Sequence, residues 1–97
     1  MTLDEFVDTT GKPKPPAGLD DVLLSLWWDR KGDWEKAHEH AQAAETRDGS
    51  WVHAYLHRKE GDLGNAGYWY ARAGRPRSAV SLDEEWSEIT RELLARG

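Results

Sequence analysis

The stretch Trp51-Val52-His53-Ala54-Tyr55-Leu56-His57-Arg58-Lys59-Glu60-Gly61-Asp62-Leu63-Gly64-Asn65-Ala66-Gly67-Tyr68-Trp69-Tyr70-Ala71-Arg72-Ala73-Gly74 reads as one helical hairpin. Trp51 to Glu60 contains no helix breaker, and Gly61 suits the left-handed position that closes a helix. Asp62 is a natural N-cap for a second helix running to about Ala73. Gly74 and Pro76 then stop the chain from continuing helically. His53 and His57 fall on one face of the first helix, because residues four apart are neighbours on a helix surface.

Working back from this hairpin, the preceding residues repeat its pattern. Leu19 to Lys31 carries Leu19, Val22, Leu23, Leu26 and Trp27 at helical spacing, with Leu24 and Trp28 as a second apolar stripe. Gly32 ends that helix, and Asp33 caps the next, expected to run to about Arg47 with Trp34, Ala37, Ala41 and Ala44 inward. Asp48-Gly49-Ser50 is then a turn, with Ser50 a candidate N-cap for the third helix. Laid over each other at Gly32-Asp33 and Gly61-Asp62, the two halves align Ala37 with Ala66, Ala44 with Ala73, and Leu26 with Tyr55. The chain therefore reads as two copies of a helix-turn-helix unit. The expected core is Leu23, Leu24, Leu26, Trp27, Trp28, Trp34, Ala37, Ala41, Val52, Leu56, Ala66, Tyr70 and Trp86.

Two segments flank the repeats. Residues 1–18 form an extended lead-in, rich in Pro, Gly and Thr toward its end, in which Leu3, Phe6 and Val7 are the candidates to dock on the rest. Residues 19–97 form a single α-helical domain. After the linker from Arg75 to Val80, Ser81 and Glu84 make a capping box. Leu82, Trp86, Ile89 and Leu93 then give a terminal helix one apolar stripe and one wet side. The fold class is all-α: two stacked hairpins plus a C-terminal amphipathic helix.

Charge narrows the function classes. Eighteen acidic against 13 basic residues give a net charge of -5, which argues against nucleic acid and against an anionic membrane surface as partners. The absence of cysteine removes disulfides and thiolate metal sites. Neither a leader of basic then apolar residues nor an apolar run of membrane-spanning length occurs, so a soluble, cytoplasmic protein is expected.

Gly32, Asp33, Trp34, Ala37, Ala41 and Ala44, then Gly61, Asp62, Leu63, Ala66, Tyr70 and Ala73, with Pro76 three residues further on, resemble the tetratricopeptide and Sel1-like helical repeats. Leu24 and Trp28 match that family's first-helix Leu and Tyr. In the second copy these positions become His53 and His57, a departure from the pattern. The Trp51 to Asp62 string also resembles a group of small uncharacterised bacterial proteins. The repeat resemblance implies a concave side lined by first-helix residues, here Val22, Leu26, Asp29 and Arg30, then Trp51, Tyr55, Arg58 and Lys59.

Three functions follow as expectations. The first is a non-catalytic protein- or peptide-interaction domain with no cofactor. Its strip of Arg30, Trp51, Tyr55, Arg58 and Lys59 is offered to an acidic partner, since aromatic and Arg side chains dominate binding hot spots. The second is a histidine-based metal-binding protein or small metal-dependent enzyme using His53 and His57, with His38 as third ligand. The string His-Ala-Tyr-Leu-His lacks the Glu of the zincin motif, and no serine sits in a nucleophile elbow. Burial of the two imidazoles as satisfied core polar groups is the competing reading, and no tightly bound transition metal is the expectation. The third is a self-associating protein, such as a homodimer.

Overall fold

The computed structural model describes residues 1–96. It contains α1 (Leu3–Thr9), α2 (Asp21–Arg30), α3 (Trp34–Ala43), α4 (Arg47–Glu60), α5 (Leu63–Ala73) and α6 (Leu82–Arg96), with no strand among the described residues. The fold is all-α, as the sequence leads one to expect. No helix among these residues is long and apolar enough to cross a membrane.

Two tight corners organise the chain. At the α2–α3 corner Gly32 has φ 89°, and at the α4–α5 corner Gly61 has the same value, a left-handed geometry that a Cβ disfavours. Asp33 and Asp62 follow as N-caps, accepting hydrogen bonds from the Lys36 and Asn65 amides. Each corner folds its two helices against one another, and α3 packs on α4 to join the hairpins. Helix α6 lies across α2 and α4, with α1 against it.

The centre holds Leu26, Trp27, Val52, Leu56, Trp86, Ile89 and Phe6, all essentially inaccessible to solvent. Trp86 ties three elements together. Its indole Nε1 donates to the Leu26 carbonyl at 3.0 Å, Phe6 meets its ring edge-on at 6.0 Å, and the Arg30 guanidinium lies 4.8 Å from its centroid. Burying an aromatic of this size is among the largest single contributions available to a small domain.

Three local features differ from the sequence reading. The first half of the expected extended lead-in is helix α1. Thr2 and Glu5 form a reciprocal capping box, and Leu3, Phe6 and Val7 have helical spacing, so a short helix delivers Phe6 to Trp86. Thr9 completes the docking by accepting the Trp27 Nε1 hydrogen bond at 3.1 Å.

Helix α3 stops at Ala43, and Thr46 rather than Ser50 caps α4, accepting from the Gly49 amide at 3.0 Å. Gly49 makes this early start possible: a Cβ there would lie 2.0 Å from the Ala44 carbonyl oxygen. The third difference concerns packing. Leu23, Leu24, Trp28 and Trp34 are half-buried instead of enclosed. Trp28 meets Trp27 edge-on at 4.9 Å and is roofed by the Lys36 ammonium at 4.1 Å.

Candidate functional site: a histidine cluster between the hairpins

Helix α4 is central, and its two polar faces have different fates. On one face, His53 and His57 point toward α3 and α5 and are buried. From α3, His38 joins them. The His53 and His38 Nε2 atoms are 2.9 Å apart, the His53 and His57 rings stack at 4.8 Å, and His38 meets His57 edge-on at 5.4 Å. One ring nitrogen from each of the three falls within 4.8 Å of the others.

Aromatic walls fix the rings. Trp69 stacks on His53 at 3.9 Å, and Trp34 stacks on His38 at 4.9 Å. The Trp34 indole is itself anchored, donating to the Leu56 carbonyl at 3.0 Å. His57 Nδ1 contacts Glu60 Oε1 at 2.5 Å, which orients its Nε2 away from that carboxylate. Asn65 Nδ2 lies 3.4 Å from that Nε2 at the exposed rim.

The environment favours neutral imidazole. Burial, and then the neighbouring His38 and His57, push the His53 pKa down to about 4. Burial, followed by His57, lowers His38 as well. The charged form is disfavoured because it loses hydration and faces like charges. A neutral ring presents one lone pair, and the short Nε2 to Nε2 contact requires one nitrogen to donate while the other accepts. His40 stands apart, bonded to Asp21 at 2.9 Å, as expected from its two-residue offset from His38.

On the opposite face of α4, the strip Trp51, Tyr55, Arg58 and Lys59 is engaged inside the molecule. Tyr55 donates to Asp29 Oδ2 at 2.7 Å, and Lys59 Nζ reaches Asp29 Oδ1 at 2.9 Å. Arg58 Nη1 pairs with Glu85 Oε1 at 2.8 Å, while its other nitrogen donates to the Val80 carbonyl. Tyr70 donates to the second Glu85 oxygen. Both carboxylates are almost fully enclosed, Asp29 3 % and Glu85 2 % exposed.

Burial, with the adjacent carboxylates, raises the phenol pKa of both Tyr55 and Tyr70. Trp51 is buried with Arg75 over its ring at 3.7 Å. Arg30 lies on Trp86 and 3.7 Å from Asp83. The strip is thus engaged by Asp29 of α2 and Glu85 of α6, while Arg30, Tyr55 and Lys59 still line a small cleft with Asp83 and Trp86.

Sequence reasoning placed the three histidines as a possible ligand set. It missed the Trp34 and Trp69 walls and the Glu60 contact, although Glu60 three residues after His57 is a legible signal. Glu85 carries no such signal, being one of three adjacent acidic residues, Asp83, Glu84 and Glu85, in the first turn of α6. The run Tyr68-Trp69-Tyr70 divides as helical geometry demands: Tyr68 is exposed, Trp69 covers His53, and Tyr70 is buried on Glu85.

Beside the cluster, Ala41, Gln42, Glu45, Arg47, Ser50, His53, Trp69 and Arg72 help line a cleft of about 640 Å³ between the end of α3, the start of α4 and α5. Comparison with known proteins gives no match: no family model fits the chain, and no curated protein or solved structure is significantly similar to it.

Proposed function

We propose that the chain is a metal-binding helical protein that holds a zinc-like divalent ion on His38, His53 and His57. The convergence of one ring nitrogen from each of these three residues within 4.8 Å carries this reading. Zinc–imidazole bonds of about 2.0–2.1 Å place tetrahedral nitrogens roughly 3.3 Å apart, so the His38–His53 pair at 2.9 Å needs only a small separation. Neutral imidazoles are the form that ligates. The Glu60 carboxylate on His57 Nδ1 is the kind of outer contact that fixes the tautomer of a metal-ligating histidine. Three protein nitrogens leave a fourth position of a tetrahedral ion for water or a ligand.

The test is metal analysis and zinc titration of protein purified without an affinity tag. Stoichiometric zinc, lost in His53→Ala and His38→Ala but retained in His40→Ala, is the expected result. Folded wild-type protein that takes up no zinc would sink the reading.

The interaction-domain reading stands second. It draws on the resemblance to tetratricopeptide and Sel1-like repeats and on the exposure of Leu63 and Tyr68 on α5, 59 % and 55 % accessible. Lys59 is exposed, but Trp51 and Tyr55 are buried and Arg58 is paired with Glu85, so binding through the whole strip requires a partner, or a second copy of the chain, to displace these contacts. An Arg58→Glu, Lys59→Glu variant that stays folded and recovers the same partners as wild type would remove that strip from consideration.

A further inference from the structure

We infer that the cleft beside His53 binds a small molecule bearing an oxyanion, a carboxylic acid or a phosphate ester, gripped by Arg47 and Arg72. The inference does not require a metal on the histidines, because the groups that carry it are outside the cluster.

The chain is acidic overall, and several of its arginines are matched to carboxylates. Arg58 pairs with Glu85, Arg75 with Glu92, and Arg96 with Asp48 and Glu92. Arg47 and Arg72 make no ion pair among the described residues, yet both line the same cleft. Arg72 is also held in place. Its Nη1 donates to the Tyr68 hydroxyl at 3.1 Å, and its guanidinium lies 5.2 Å from the Trp69 centroid. An arginine fixed in this way loses less freedom on binding, and its planar fork matches an oxyanion.

Ser50 and Gln42 add neutral polar groups to the same walls. Trp69 lines the cleft with His53 stacked on it and Arg72 near it. Its ring is already covered, so the cleft suits a small polar anion better than a flat aromatic one. Glu45 is the opposing charge in the lining. It limits the site to a compact anion held at the arginine side, and its neutralisation should tighten binding.

The experiment is a ¹H–¹⁵N NMR titration of chelator-treated, metal-free protein at constant ionic strength, with inorganic phosphate in one arm and succinate in the other. Saturable shifts centred on Arg47, Ser50, Trp69 and Arg72 are expected in at least one arm. Saturation by phosphate alone assigns a phosphate ester, and saturation by succinate alone a carboxylic acid. The Arg47→Gln, Arg72→Gln double variant should weaken binding at least tenfold. Glu45→Gln should strengthen it several-fold, and Arg91→Gln on α6 should leave it unchanged. Both cleft arginines are exposed, so the double variant should keep the wild-type spectral fingerprint. Shifts that never saturate in either arm, or a folded double variant that binds as wild type does, would overturn the inference. Because metal is absent throughout, failure here leaves the zinc reading standing, and failure of zinc binding leaves this one standing.

Discussion

The two polar faces of α4 differ in how their buried groups are satisfied. Toward α2 and α6, two carboxylates meet an arginine, a lysine and two tyrosines, and the charges cancel at close range. Toward α3 and α5, three imidazole rings meet one another between tryptophan walls. A buried charge is tolerated only when paired and hydrogen-bonded, so the first face is closed by its own energetics. The second face keeps ring nitrogens that converge, and it borders a cleft. The same helix thus carries a structural clamp on one side and a cluster of three histidines on the other.

The largest effect should come from breaking the clamp at its apolar centre. Trp86→Ala should destabilise the protein by about 3–5 kcal/mol, the usual range for emptying a buried Trp site. Denaturant unfolding measures it. A loss below about 1 kcal/mol would mean that α6 does not depend on Trp86.

Glu85→Ala strips the charged partner from Arg58 and the acceptor from Tyr70. A loss of roughly 3 kcal/mol is expected, since removing one partner leaves a poorly solvated charge behind. The conservative Glu85→Gln should recover part of it by keeping an acceptor for Tyr70. Equal stability of Glu85→Ala and wild type would show that the pair is not a clamp.

On the histidine face the contrast sharpens with pH. The His53 pKa is lowered to about 4 in the folded protein, against about 6.5 when unfolded. The unfolded chain therefore binds the extra proton between these values, and stability rises with pH across that window. The contribution is complete above about pH 6.5 and is lost as pH falls toward 4, by roughly 2–3 kcal/mol for a shift of this size. His38 moves in the same direction. His53→Phe, which keeps a ring against Trp69, should flatten the stability profile between pH 4 and 6.5. An unchanged slope in that variant would assign the pH dependence to other groups.

The smallest effect should lie away from both faces. Trp28 is half-buried, beside Trp27 and beneath Lys36, so Trp28→Ala should cost roughly 1–2 kcal/mol, well below the full-burial range. A loss as large as that of Trp86→Ala would show that the second stripe of α2 is enclosed in solution.

Local signals in the sequence determine the helices and their corners. Gly32-Asp33 and Gly61-Asp62 specify a left-handed stop followed by an N-cap, using groups only a few residues apart. The pair His53 and His57 is legible for the same reason, because one helical turn fixes their relation. What tertiary structure alone decides is which distant groups face them. His38 meets His53 because α3 packs on α4, and Trp69 covers His53 because α5 folds back at Gly61. Glu85 seals the other face only once α6 crosses α4, with Trp86 bonded to Leu26, sixty positions earlier. An exposed aromatic–cation strip and a buried one have the same residue pattern. The difference lies in whether another segment brings enough apolar area and a matching charge to displace water from it.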